Sequence, residues 1–445
     1  MNDPNGLVYY KGVYHLFYQY NPEGEVWDHI SWGHATSTDL MKWIHRPIAI
    51  RGAAKEMVFS GSVVVDYLNT SGLGSTEDPA LVAIYTEFNV QSRIQTQCLA
   101  FSIDEGITWN KYAGNPVLDI NSKEFRDPKV FWDEVENRWL MAIALAAEQK
   151  IRFYESSNLK NWNHLSDFGP LGEVGGVWEC PDFFQLHVNG NEAESKWILI
   201  VSINPGGLYG GSGTQYFIGD WDGKVFTVTE SPTKTKWLDF GKDYYAAVSF
   251  YNVPDNRRIM LGWMSNWQYQ SELPTSPFRG QMSIPREMRL EKIDQNFLLA
   301  ALPVRELSPA KIATISVETF LDISFDFTPA TSGVSGLRIS RGGLEYIDIF
   351  YDPETQNVIL DRNTSSSPSV QKLLYGEHLA PARLIEDRLT FRVIIDVLSV
   401  ELFINGGEQV ITDLILSSEI DKNEVQILGD QSSLIVHKLE IRSML

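Results

Sequence analysis

Ser37-Thr38-Asp39-Leu40-Met41-Lys42-Trp43 is matched twice downstream, by Ser102-Ile103-Asp104-Glu105-Gly106-Ile107-Thr108-Trp109 and by Ser156-Ser157-Asn158-Leu159-Lys160-Asn161-Trp162. Each copy follows an alternating apolar segment with a polar turn and sets a Trp at the start of the next segment. The Trp positions are 66 and 53 residues apart, and Gly219-Asp220-Trp221-Asp222-Gly223 is a looser fourth copy. Repeats of roughly 50 residues, each a few strands long, mark the blades of a β-propeller. The competing explanation is an ordinary Ser-x-Asp hairpin turn used three times. Around the copies, period-2 alternation at residues 7–10, 13–20, 30–37, 58–66 and 81–87 is broken by Lys-Gly, Asn-Pro, Ser-Gly and Asp-Glu-Gly turns. That is the pattern of antiparallel hairpins, and no long helix is expected in the first 300 residues. Counting on through residue 302 gives five blades.

Beyond residue 303 the composition changes. Residues 303–312, with two Pro and alternating charge, read as a connector with one helical turn, and Trp is absent from there on. Alternating strands at 320–327, 344–351, 389–397 and 400–404 then suit a β-sandwich over residues 313–445. The expected fold is all-β: a five-bladed β-propeller over residues 1–302 followed by a C-terminal β-sandwich.

Charge and composition exclude several functions for this 445-residue chain. With 37 Lys and Arg against 57 Asp and Glu the net charge is −20, which repels phosphate backbones and anionic membranes, so no nucleic-acid or membrane partner is expected. The longest apolar run, residues 140–147, is far too short to span a bilayer. Cys98 and Cys180 are the only cysteines and build neither a disulfide framework nor a four-thiolate metal site. The eight His show no ligand spacing, and His34 reads as a hydrogen-bonded core residue. No metal or organic cofactor is expected. Aromatic residues make up 12% of a chain only 21% charged, which suits a neutral carbohydrate with its apolar C–H faces.

Three acidic segments carry the chemistry. Asn2-Asp3-Pro4-Asn5-Gly6, Phe125-Arg126-Asp127-Pro128 and Val177-Trp178-Glu179-Cys180-Pro181-Asp182 each head an apolar strand. Taken singly they have bland explanations: Asp-Pro-Asn-Gly is a turn, Arg126 and Asp127 an ordinary contact, Glu179 a strand-end residue. In a propeller, however, the innermost strands line one channel, so carboxylates entering equivalent strands converge at one end of it. Separated carboxylates in one polar pocket are what glycoside hydrolysis needs, one to attack or to activate water and one to protonate the leaving oxygen.

These segments, with Tyr18-Gln19-Tyr20-Asn21-Pro22, Trp32-Gly33-His34-Ala35, Phe59-Ser60-Gly61-Ser62, the run Gly262 to Tyr269 and Ser283-Ile284-Pro285-Arg286-Glu287, resemble glycoside hydrolase family 32. That family comprises invertases, inulinases, levanases and fructan exohydrolases. In the second domain Ile359-Leu360-Asp361-Arg362 and Val400-Glu401-Leu402-Phe403 also resemble it. The resemblance implies a retaining glycosidase that releases terminal β-D-fructose from sucrose, inulin or levan through a covalent fructosyl-enzyme. Asp3 would be the nucleophile, Glu179 the acid and base, and Asp127 the residue that holds fructose hydroxyls in the transition state. Asn2, Gln19, Trp27, Ser60, Arg126 and Trp267 would grip the fructose, although Trp27 and Trp267 are equally readable as packing residues. A pKa of Glu179 raised by burial and by Asp3 and Asp127 is expected.

Alternatives are a fructosyltransferase or endo-acting fructanase using the same intermediate, and an inactive sugar-binding propeller. A sialidase-like propeller fits the turn repeats but would need an arginine cluster and a Tyr nucleophile, and net charge and the acid-rich motifs oppose it; an inverting arabinanase-like enzyme lacks the run of motifs. Substrate location implies an extracellular or periplasmic protein, although no signal peptide is visible, and a homodimer through the sandwich is an open expectation. The resemblance is imperfect at two points. Asp3 lies at the third residue, where a frayed terminus would blur the site, and Trp27-Asp28 stands where relatives have Trp-Gly.

Overall fold

The three strict repeats fold into one turn. In each, the Ser hydroxyl donates to the Asp or Asn Oδ1 two residues on, at 3.0 Å from Ser37, 2.7 Å from Ser102 and 3.3 Å from Ser156. In each, the indole Nε1 of the closing Trp donates to a main-chain carbonyl three residues back: Trp43 to Leu40, Trp109 to Gly106 and Trp162 to Leu159. The turn joins the third strand of a blade to its outermost strand, as between Ser31–Ser37 and Ile44–Ile50. The looser fourth copy differs, because Trp221 ends the strand Gly213–Trp221 instead of opening the next.

The computed structural model describes residues 1–229, 234–307, 320–342, 344–366, 368–417, 423–430 and 432–443. The expected connector therefore lies outside the described residues from 308 onward, as does 313–319 of the expected sandwich. The fold is a five-bladed β-propeller followed by a β-sandwich. The innermost strands of blades one to five are Pro4–Tyr10, Glu56–Val65, Phe125–Asp133, Val177–Val188 and Tyr245–Ser249, and each packs on the next around the ring. The ring closes on itself where Tyr9 N donates to Tyr251 O at 2.9 Å and Tyr251 N to Leu7 O at 2.8 Å. Apolar clusters fill the spaces between blades, with Trp32, Trp178 and Trp263 fully buried. His34 is buried, its Nε2 3.1 Å from His15 Nδ1. Among the described residues no helix is long and apolar enough to cross a membrane.

All five innermost strands slip register near the same end, at Asn5/Val8, Val58/Gly61, Arg126/Lys129, Glu179/Asp182 and Tyr245/Val248, and the fourth slips again at His187/Val188. A β-bulge bends its strand and re-aims the side chains beside it, so five bulges at one level create an end of the channel where side chains converge. Within them Asp127, Cys180 and Ala246 have φ of +66°, +47° and +53°. Left-handed backbone costs about 1–3 kcal/mol for a non-glycine residue, and Asp127 and Cys180 also precede prolines, which favour extended backbone there.

The sandwich packs two five-stranded antiparallel sheets over an aliphatic and Phe core. It is fixed to the propeller by buried ion pairs. Arg286 bridges Asp239 at 2.8 Å and Glu401 at 2.6 Å, while Arg362 meets Asp243 at 2.8 Å and Asp413 at 3.6 Å.

Candidate active site

Asp3 sits immediately before the first inner strand, and neighbouring strands saturate one of its oxygens. Its Oδ2 accepts from Gln19 Nε2 at 3.1 Å, Ser60 Oγ at 2.7 Å and Cys180 Sγ at 3.6 Å. Its Oδ1 has only Asn2 Nδ2 at 3.5 Å. Asn2 and Ser60 are themselves fixed by Gln19, at 2.6 Å and 2.5 Å. The segment does not fray. Asn2 N donates to Gln19 O, Gln19 N to Asp3 O, and the Met1 nitrogen to Arg279 O at 2.6 Å. Gly280 permits this approach, since a Cβ there would lie 2.0 Å from Met1 O.

Asp127 shares Cys180 with Asp3. Its Oδ2 accepts from Cys180 N at 3.0 Å, with the Cys180 sulfur 3.7 Å away. Asp127 makes no ion pair with Arg126, the bland explanation for it: that guanidinium turns to Glu179 Oε1 at 3.0 Å and Glu124 Oε2 at 2.6 Å. Glu179 is half-buried, and its Oε2 accepts from the Tyr245 hydroxyl. Asp3, Asp127 and Glu179 thus meet at one end of the channel, with Asn2, Gln19, Ser60 and Arg126 buried around them.

Charge is unevenly compensated. Among the described residues neither Asp3 nor Asp127 has an ion pair. Burial, with the Glu179 charge, pushes the Asp3 carboxyl up to about 6. Burial, opposed by Arg126 and reinforced by Glu179 and Asp3, pushes Asp127 up to about 7. Burial and like charge thus act in the same direction on both aspartates. Burial also raises the Cys180 thiol well above its ordinary range, so it serves here as a neutral, weak donor.

The two tryptophans flank this centre differently. Trp267 packs on Trp263, ring centroids 5.0 Å apart, against the cluster that contains Cys180 and Tyr245. Trp27 is 41% exposed, 5.7 Å from Phe59, and lines with Asn2 a cavity of about 480 Å³ beside the site. Asp28 turns away into its own loop, accepting from His29 N at 2.8 Å. Cys180 and Tyr245 were missed by sequence reasoning. Cys180 was readable as the residue between Glu179 and a proline, whereas Tyr245 lies in blade five with no acidic motif to mark it. Among the described residues no group of three His, Cys, Asp or Glu side chains is set to hold a metal ion.

Residues 1–301 match the Glycosyl hydrolases family 32 N-terminal domain and residues 292–443 the Glycosyl hydrolases family 32 C terminal domain. The chain belongs to glycosyl hydrolase family 32. It is 43% identical over 446 residues to a levanase of Bacillus subtilis (strain 168), covering 95% of this chain but 65% of the levanase. It is 38% identical over 472 residues to an extracellular exo-inulinase of Aspergillus niger, covering 94% of this chain and 87% of that protein. The crystal structure of exo-inulinase from Aspergillus awamori superposes with a TM-score of 0.92 at 34% identity, over all of this chain and 96% of that one. Membership in family 32 makes the chain a glycosidase.

Proposed function

We propose that the chain is a retaining, exo-acting β-fructofuranosidase that hydrolyses terminal fructosyl linkages of sucrose and fructans. The observation that carries this reading is the pair of buried aspartates without an ion pair beside a half-exposed, Arg-paired glutamate. Asp3 is the nucleophile. With Oδ2 saturated by three donors, Oδ1 is the oxygen left to attack the anomeric carbon, forming the fructosyl ester as the glycosidic C–O bond breaks. Glu179 gives its proton to the departing oxygen, then takes one from the water that cleaves the ester. The Tyr245 hydroxyl can donate to the carboxylate or accept from the acid, so it holds Glu179 through both half-reactions. Asp127 accepts hydrogen bonds from fructose hydroxyls, and Asn2, Gln19, Ser60 and Arg126 fix the sugar and the carboxylates. Trp27 and Trp267 wall the approach.

Residues 1–302 carry this chemistry, and residues 313–445 brace it. The protein works outside the cytoplasm, where its polymeric substrates are, in keeping with the extracellular exo-inulinases among its relatives. A second copy pairs through the sandwich edge strand Ile435–Ser443, where Ile435, Leu439 and Ile441 are exposed; sedimentation of Leu439→Lys as a monomer, against a wild-type dimer, checks this. For the reaction, purified protein is incubated with sucrose, inulin and levan. Fructose as the sole early product from inulin supports exo hydrolysis, early oligosaccharides contradict it, and absence of fructose from all three removes the enzyme reading. In Glu179→Gln, supplied with a β-fructoside whose leaving group departs without a proton, rapid denaturation should leave fructose esterified to the peptide containing Asp3.

A further inference from the structure

The far end of the channel holds a second cavity, of about 520 Å³, where blades three, four and five meet. Its walls are the opposite ends of the inner strands that carry the acids. In Phe125–Asp133, Asp127 is at the catalytic end and Trp132 at the cavity, a separation of roughly 17 Å along an extended strand.

The floor of this cavity is charged and out of balance. Lys129 Nζ lies 3.2 Å from Asp182 Oδ1 and donates to Ser249 O at 2.6 Å. The same Asp182 accepts from Ser249 N. Arg258 is half-buried, donates from Nη1 to Ser249 Oγ at 3.3 Å and stacks 4.7 Å from the centre of the Phe184 ring. Among the described residues no carboxylate comes within ion-pair distance of its guanidinium. Of the other charges lining the cavity, Arg257 pairs with Glu287 at 2.9 Å and Glu306 at 2.6 Å, Asp133 with Arg138 at 3.4 Å, and the exposed Glu134 lines it as well. On the floor itself two cations, Lys129 and Arg258, therefore face one buried carboxylate, Asp182. Burial lowers both Lys129 and Arg258 from their ordinary values, with Asp182 as the opposing attraction.

A guanidinium left without a carboxylate in low dielectric is costly, and an incoming anion relieves that cost through a planar fork of donors suited to phosphate or carboxylate. Phe131, Trp132 and Trp197 are half-buried at the walls and offer flat apolar faces to a ring-sized body. We propose that this cavity is a binding site for a small organic anion of monosaccharide size, its phosphate or carboxylate on Arg258 and its body against Trp132 and Trp197. The site is separate from the fructose pocket and faces the other mouth of the channel.

Calorimetric titration of the full chain with glucose 6-phosphate, gluconate, inorganic phosphate and neutral glucose tests this. Glucose 6-phosphate or gluconate should bind, inorganic phosphate more weakly, and glucose not at all; the two organic probes tell a phosphate site from a carboxylate site. In Arg258→Met affinity should fall at least about tenfold while hydrolysis of sucrose is retained. Should that variant not fold, Trp132→Ala is read instead, and it should weaken glucose 6-phosphate more than inorganic phosphate. Absence of binding by all three anions up to about 10 mM, where even a millimolar site is mostly filled, overturns the proposal. So do equal affinities in wild type and Arg258→Met, equal losses for the two phosphates in Trp132→Ala, or displacement by fructose.

Discussion

Two buried clusters of acids in this molecule have the same ingredients and opposite states. At the domain interface Asp239 and Glu401 share Arg286, and Asp243 and Asp413 share Arg362, so every carboxylate touches a guanidinium. At the channel mouth Arg126 engages Glu179 and Glu124 and leaves Asp3 and Asp127 to neutral donors. Pairing makes the first cluster a fastening. Withholding a cation makes the second a pair of carboxyls poised near neutrality, with proton affinity to use in chemistry.

The sharpest way to break this contrast is to remove the unpaired nucleophile. Asp3→Asn should lower kcat for sucrose by a factor on the order of 10⁴–10⁶ with the fold intact by circular dichroism. Next is the fastening: Arg286→Met strands two buried carboxylates and should destabilise the chain by about 3–5 kcal/mol in urea titrations, with activity at low denaturant largely kept.

Asp127→Asn should do the reverse. The folded carboxyl titrates at about 7 against its ordinary 3.8, so the native chain binds that proton more tightly. Its penalty on stability is absent below the unfolded value, grows as pH rises and is complete above the folded value. The variant should therefore gain about 1–3 kcal/mol at pH 8 and nothing at pH 4, while fructose release collapses. Asp3, titrating at about 6, should give the pH profile of kcat/KM an acid limb, with the rate at pH 5 about tenfold below the plateau. Smallest is Tyr245→Phe, which removes one of two donors to Glu179 and should cost about 3–10-fold in kcat; a shifted basic limb separates this from mere loosening.

The paired cluster was the part of the sequence most easily misread. Ser283 to Glu287, Ile359 to Arg362 and Val400 to Phe403 were legible as motifs, yet Arg286, Arg362 and Glu401 prove to clamp the domains. Period-2 alternation and the Ser-x-Asp turns made the propeller readable, because both are local. Convergence of Asp3, Asp127 and Glu179 followed from topology alone. The bulges did not, since a one-residue register slip leaves no periodic trace, and with them Cys180 as the bridge between two acids went unseen. Arg126, whose bland explanation was a contact with its neighbour Asp127, pairs with Glu179 instead.

Ring closure between Leu7 and Tyr251 has a consequence in time. The strand that Asp3 heads finds its second neighbour only once blade five has left the ribosome, some 240 residues after it was made. Until then the ring of inner strands stays open on one side, and its closure waits on the last blade.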